Sequence, residues 1–346
     1  MALPSSRTPP STAPASTAPA AVMASQIRGG GRRALARAIT LVESTRSDHR
    51  TAAQALLTAL AESDAAGDTL RLAISGVPGA GKSTFIEAFG LHLIGAGHRV
   101  AVLSIDPSSS LSGGSILGDK TKMPDLSGHP DAFIRPSPAG TTLGGVARRT
   151  RETMALCEAA GFDIVIVETV GVGQSETAAA SMTDMFLLLL VPGGGDDLQG
   201  IKRGIVELAD LVLVNKADGD LAAAAGRAAS DYADALRLIR PRNASWRVRV
   251  QICSALEGRG IAEAWEAVKA FRQSGTASGE LQARRARQAS AWMWREAADG
   301  VVDALRADPG VREQVARLEA DVASGKVLPA AAAEQLISTF RRGSCA

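Results

Sequence analysis

At 346 residues the chain has room for one sizeable α/β domain with helical additions or for two small domains, and 46% hydrophobic against 21% charged residues favours the first. A net charge of +2 and an aromatic content of 3% argue against nucleic-acid binding, which needs basic surface and exposed rings. Cys157, Cys253 and Cys345 form no C-x-x-C pair, so they read as small buried thiols in a reducing compartment rather than a disulfide framework or a zinc site.

Residues 1–25 are rich in Pro, Ser, Thr and Ala, with one arginine, Arg7, and no apolar segment of the kind a secretory signal needs. They read as a disordered extension, with Met23 as an alternative start. Residues 26–68 carry Leu35, Ile39 and Val42, then Leu56, Leu57 and Leu60, at helical spacing, which predicts two helices in an N-terminal helical arm.

Over residues 69–275 the pattern changes to short apolar runs, each followed by a polar turn and a helical stretch: "RLAIS", "RVAVLSI", "DIVIV", "MFLLLLV", "DLVLV" and "RVRVQIC". Continuous apolar strands alternating with helices predict an α/β fold, a doubly wound, mostly parallel sheet covered on both faces, with N-terminal and C-terminal helical extensions. The longest run, "MFLLLLV", is far short of the roughly 20 residues of a membrane span, so no membrane is expected as a partner. The turns after the runs begin at Gly76, Asp106, Glu168, Pro192, Asn215 and Ser254, and in such sheets they converge on one crevice. In the C-terminal arm, 276–346, Trp294, Ala298, Val301 and Leu305 share a helical face, as do Val311, Val315, Leu318 and Val322; Pro329 opens a last helix with Leu336 and Phe340. Such a face packs either on its own core or on a second copy of the chain, and periodicity does not choose between them.

"GVPGAGKST", Gly76–Thr84, fits G-x-x-x-x-G-K-[ST] between a strand and a helix. In this motif the loop from Gly76 through Pro78 curls around a β-phosphate with the backbone N–H groups of residues such as Gly79, Ala80 and Gly81, Lys82 reaches the β and γ oxygens, and Ser83, followed by Thr84, offers a hydroxyl to Mg2+. Asp106 and Glu168 are carboxylates at strand ends, where a cation offsets their desolvation; Asp106 also fits an Asx turn with Pro107. In "VETVGVGQSE" the Gly171 amide is placed to sense a γ-phosphate, while Gln174 lies too far past it to orient a water and reads as a brace. "NKAD" decides the base. The Asp218 carboxylate accepts from both N1–H and the 2-amino group of guanine, a pair adenine lacks. Asn215 would brace this turn against the phosphate loop, the stem of Lys216 would cover the base, and "SAL", Ser254, Ala255 and Leu256, would give a backbone N–H to guanine O6.

With those motifs in hand, "GVPGAGKSTFIEAFG", "DPSSSLSGGSILGDKTKM", "FIRPSPAGTTLGGVARRTRETM", "VETVGVGQSETA" and "LQGIKRGIVELADLVLVNKAD" resemble the GTPase chaperones of methylmalonyl-CoA mutase, the bacterial MeaB (ArgK-type) proteins and their mitochondrial counterpart. The resemblance runs from about residue 33 into the C-terminal arm. It implies a P-loop GTPase using GTP/GDP and Mg2+, a homodimer, and a role in gating adenosylcobalamin delivery to an adenosylcobalamin-dependent acyl-CoA mutase and in protecting or reactivating it, with its adenosyltransferase as a further partner. The implied compartment is the cytoplasm, or the mitochondrial matrix in a eukaryote. The resemblance also implies Lys82, Ser83, Asp106, Asp119 and Glu168 as phosphate and Mg2+ residues; Asp119 is assigned by it alone. Residues Gly193–Lys202 align with a switch loop that answers to the mutase, which makes Gln199 and Lys202 catalytic candidates beside Lys82 and Glu168. Two departures stand out: "SSSLSGG" replaces the usual Thr-Arg-Thr before the glycines, and "SPAGTT" alters a serine pair.

Three other readings remain. A metal-delivery GTPase needs a ligand cluster, yet His49, His92, His98 and His129 are isolated in the sequence. An ArgK-type phosphotransferase needs an acceptor pocket and a base, and an interaction module would act through its helical arms without nucleotide. No arginine finger is evident for hydrolysis by the chain alone; Arg148 and Arg149 fit a solvated face or a contact made in trans.

Overall fold

The computed structural model describes residues 17–61, 68–105, 122–136, 143–169, 175–192, 203–238 and 241–343. Its sheet has the strands β1 (Leu70–Gly76), β2 (Val100–Ile105), β3 (Ala132–Arg135), β4 (Ile164–Thr169), β5 (Met185–Leu190), β6 (Leu211–Val214) and β7 (Arg249–Ile252). They lie in the order β3-β2-β4-β1-β5-β6-β7, and every pairing is parallel. β2, β4, β5 and β6 are buried at every residue, which is why they appear in the sequence as unbroken apolar runs.

Alternate side chains along each strand enter different cores. Ala73, Leu103, Val165, Val167 and Leu188 face α1 (Thr17–Arg28), α2 (Arg32–Glu43), α3 (Ser47–Ala61), α6 (Leu143–Ala159), α7 (Ser175–Ala180) and α9 (Ala222–Arg237). Leu72, Ile74, Val102, Ile166 and Leu187 face α4 (Lys82–Gly95), α5 (Pro124–Gly128) and α10 (Ile261–Ala277). A short helix, α8 (Arg203–Val206), precedes β6. The rings of Phe85 and Phe89 stack on α4 with centroids 5.3 Å apart, both fully buried. Each such side chain contributes about 1.5–3 kcal/mol by its burial, so the helix that follows the phosphate loop is firmly seated.

At the opposite edge of the sheet, carboxylates close the strand starts. Asp184 accepts from the Arg71 amide at 2.9 Å and Asp210 from the Phe186 amide at 3.0 Å. Arg71 also makes a two-bond pair with Glu158 at 2.6 and 2.9 Å. These contacts tie the amino ends of the strands together.

The structure corrects four expectations. α1 begins at Thr17, inside the segment read as an extension to residue 25, and buries Ala24 and Ile27. Its Ala-rich stretch favours helix, and its proline lies in the first turn, where the ring is tolerated. α1, α2 and α3 share one apolar cluster with the sheet, so these helices are part of that core rather than an arm. β3 was not expected: it is a four-residue edge strand buried only at alternate positions. The division between compact units falls after Leu281, not after residue 275, because α10 continues to Ala277.

The second unit holds most of α11 (Glu280–Ala307), then α12 (Pro309–Ala323) and α13 (Pro329–Gly343). Asp308 caps α12 by accepting from the Val311 amide at 2.9 Å. Val311, Leu318 and Ala332 are buried where α12 and α13 pair. On α11, Trp294 is 69% exposed and Val301 60%. Among the described residues no helix is long and apolar enough to cross a membrane.

Candidate functional site

β1 lies mid-sheet between β4 and β5, which puts the loop that follows it at the centre of the carboxyl edge. Gly76 passes so close to β5 that a Cβ there would sit 2.3 Å from the Leu189 carbonyl oxygen; only glycine fits. The turn closes with the Ala80 amide donating to the Val77 carbonyl at 3.1 Å. Gly81, at φ 81°, precedes α4 with no side-chain cap. The first-turn N–H groups of α4 therefore have no intrahelical partner and form an anion site. Pro78, Gly79 and Thr84 are exposed around it.

Lys82 Nζ donates to the Gly76 carbonyl at 2.8 Å and the Val77 carbonyl at 3.3 Å, which holds the ammonium over the loop. Burial lowers the Lys82 pKa, Glu168 and Glu176 pull it back up, and Lys122 pushes it down further. Glu176 and Lys122 were not singled out from sequence. Glu176 is fully buried in the first turn of α7, with Ser175 Oγ donating to it at 3.4 Å, and its only sequence signal is its place just after a glycine-rich turn.

Ser83 Oγ donates to Glu168 Oε1 at 3.3 Å. Glu168 is 4% exposed and lies within β4, which runs two residues beyond "DIVIV", so strand alternation aims it at the α4 face with Ile164 and Ile166. A hydroxyl and a buried carboxylate beside a phosphate loop are hard oxygen donors suited to Mg2+. Among the described residues no group of three or more His, Cys, Asp or Glu side chains comes together. Asp106, Asp119, Gly171, Gln174, Gln199 and Lys202 lie outside the described residues.

The base side is built around Asn215, which is 1% exposed at the end of β6. Its Nδ2 donates to the Ala80 carbonyl at 2.9 Å, and its Oδ1 accepts from the Ala255 amide at 3.0 Å. One amide thus ties the phosphate loop to two further turns. Lys216 adopts φ 59°, rare for a residue with a Cβ, and its Cε lies 3.9 Å from where a Gly81 Cβ would be, so its stem runs over the loop. Asp218 accepts a short hydrogen bond from Ser254 Oγ, and Arg259 donates to the Ala217 carbonyl at 3.2 Å. The "SAL" turn is itself braced. Its Ser254 amide is spent on the Arg259 carbonyl and its Ala255 amide on Asn215, while Leu256 is 80% exposed. In this structure the turn acts first as a brace for Asn215 and Asp218.

A phosphate loop between a central strand and a helix, tied by one amide to the turn after a neighbouring strand, is the arrangement of P-loop GTPases, and the chain is one of them. It belongs to the family described as methylmalonyl Co-A mutase-associated GTPase MeaB, which it matches over residues 35–310. It is 55% identical over 315 residues to a probable GTPase of Mycobacterium tuberculosis strain H37Rv, covering 91% of this chain and 93% of that one. It is 50% identical over 320 residues to the mitochondrial methylmalonic aciduria type A homolog of Mus musculus, covering 90% and 77%. Among solved structures it resembles the crystal structure of LAO/AO transport system kinase, with a TM-score of 0.72 and 40% identity over 95% of this chain and 100% of that one.

Proposed function

We propose that this GTPase is a nucleotide-switched chaperone for an adenosylcobalamin-dependent acyl-CoA mutase of the methylmalonyl-CoA mutase type, gating cofactor loading and protecting or reactivating the enzyme in the cytoplasm. The observation that carries the reading is the Asn215 junction, which joins base recognition to the phosphate loop as a switch needs, in a family whose description names that mutase. Relatives described as methylmalonic aciduria type A homologs support it.

In this mechanism Asp218 selects guanine, and the backbone from Gly76 to Thr84 cradles the phosphates. Lys82 leaves the Gly76 and Val77 carbonyls for the β and γ oxygens. Ser83 and Glu168, with Asp106 and Asp119, would hold Mg2+, which when bound supplies charge neutralisation at the phosphates. The Gly171 amide senses the γ-phosphate. Gln199 and Lys202 complete the site when the mutase is bound, so the chain alone hydrolyses GTP slowly. A second copy docks on the α11 face that carries Trp294 and Val301, making a homodimer. The adenosyltransferase that supplies the cofactor is the further partner.

The test is capture of the mutase by the purified chain with GDP and with a non-hydrolysable GTP analogue, followed by single-turnover hydrolysis with and without the mutase. Nucleotide-dependent capture with faster hydrolysis is expected; capture indifferent to nucleotide and to Lys82→Ala would overturn the proposal. The solved relative described as a kinase motivates one further arm. Radiolabelled γ-phosphate released to water supports the GTPase chaperone, and label moved to a third molecule supports a phosphotransferase.

A further inference from the structure

We infer that Cys253 is a positioning residue for guanine recognition, its buried thiol donating to Asn215 Oδ1 and holding the base-reading turn in register with the phosphate loop. The contact is 3.5 Å between Sγ and Oδ1, within reach for a sulfur donor, and Cys253 is 1% exposed. The orientation of the Asn215 amide is fixed by its other partners, because the Ala255 N–H can only donate and the Ala80 carbonyl can only accept. The oxygen therefore faces the thiol, and both of its lone pairs are used.

Cys253 grips the base turn at three points. Its N–H donates to the Val214 carbonyl at 2.9 Å and its carbonyl accepts from the Ala217 N–H at 3.1 Å, so it clamps the main chain on both sides of Asn215. Any residue but proline could make those two bonds; only the third depends on the side chain. The thiol also has little freedom to move away. A Cβ on Gly260 would meet the Cys253 Cα and Cβ at 2.9 Å, so the chain presses on it from the other side. Burial pushes the thiol up to about 12, so it stays protonated and remains a donor at neutral pH. A thiolate there would face the Asn215 oxygen as a second acceptor.

Asp218 lies three residues beyond Asn215, across the strained Lys216. Reading N1–H and the 2-amino group together demands that the carboxylate stay in the plane of the base, so loosening Asn215 degrades the two-bond fit before it degrades phosphate binding. IDP, which lacks the 2-amino group, isolates this effect.

The experiment measures GDP and IDP affinity for the full chain, for Cys253→Val, which fills the space without a donor, and for Cys253→Ser, which keeps one. The GDP-over-IDP preference is expected to fall about three- to tenfold in Cys253→Val and to stay within about twofold of the parent in Cys253→Ser. A parallel loss of both ligands in Cys253→Val with the ratio intact, or a ratio that Cys253→Val leaves unchanged, overturns the inference alone. A parent chain with no GDP preference overturns it together with the role of Asp218. The parent chain gives a second readout that does not depend on a folded variant. The infrared S–H band of Cys253 is expected below the frequency of a free thiol in apolar solvent, and a band at the free-thiol frequency overturns the inference.

Discussion

On the guanine side of the site, Asn215 joins the end of β6 to the phosphate loop and to the turn after β7 through three hydrogen bonds, all buried. On the phosphate side, Lys82 rests on two main-chain carbonyls and Ser83 reaches Glu168 through one bond of 3.3 Å. The first half is cross-braced before any ligand arrives; the second is held by contacts that a phosphate can replace one for one. In the proposed mechanism this is a division of labour: identity of the base is read by a rigid template, and the state of the phosphates is read by groups free to change partners. That is the arrangement a nucleotide switch requires.

The largest expected break is Lys82→Ala. Two charge-assisted hydrogen bonds to phosphate are lost, so kcat/KM for GTP falls by at least about a hundredfold in a phosphate-release assay. The same variant should melt no lower than the parent without nucleotide, because burial disfavours the Lys82 charge in the folded chain. The pKa is lowered from 10.5, so the folded chain is the weaker proton binder; the cost is present at neutral pH and disappears as pH rises past 10.5. Melting curves of both proteins between pH 7 and 10.5 should therefore converge.

Asn215→Ala attacks the rigid half. It leaves the Ala80 carbonyl and the Ala255 amide without their shared partner, and GDP and GTP should both weaken about ten- to a hundredfold by fluorescence titration. Glu168→Gln acts on the other half and sharpens the contrast: the Mg2+ concentration needed for half-maximal hydrolysis should rise about tenfold, while GDP affinity without Mg2+ stays unchanged. The last effect is confined to high pH, the titration of Cys253. Its pKa rises from 9.0 to about 12 on folding, so the unfolded chain loses the proton first and stability declines as pH climbs through that window. Denaturant midpoints in that range should decline less steeply in Cys253→Ser.

Legibility in the sequence followed the same division. Strands buried on both faces announced themselves as apolar runs, and the phosphate loop and "NKAD" turn needed residue types at fixed spacing that few other structures would demand. β3 did not, since an edge strand of four residues buries too little to leave a pattern. The Ala-rich α1 was hidden by a Pro-, Ser- and Thr-rich neighbourhood. Cys253 and Glu176 carry no motif at all; their roles arise from what the fold places beside them. The second unit shows the limit most clearly. Val311 and Leu318 are buried and Trp294 and Val301 exposed, although both pairs are spaced at helical period, because periodicity reports a face and not what covers it.

The most direct measurement of the rigid-template account is the nucleotide preference of Asp218→Asn. A carboxylate accepts from N1–H and the 2-amino group of guanine, whereas a carboxamide offers one acceptor and one donor, which suits the N1–H and 2-oxo edge of xanthine. With the Asn215 bracing intact, the variant should lose GTP hydrolysis and gain XTP hydrolysis at a comparable kcat. Retained preference for GTP over XTP would contradict the claim that Asp218, held in a prebuilt turn, selects the base.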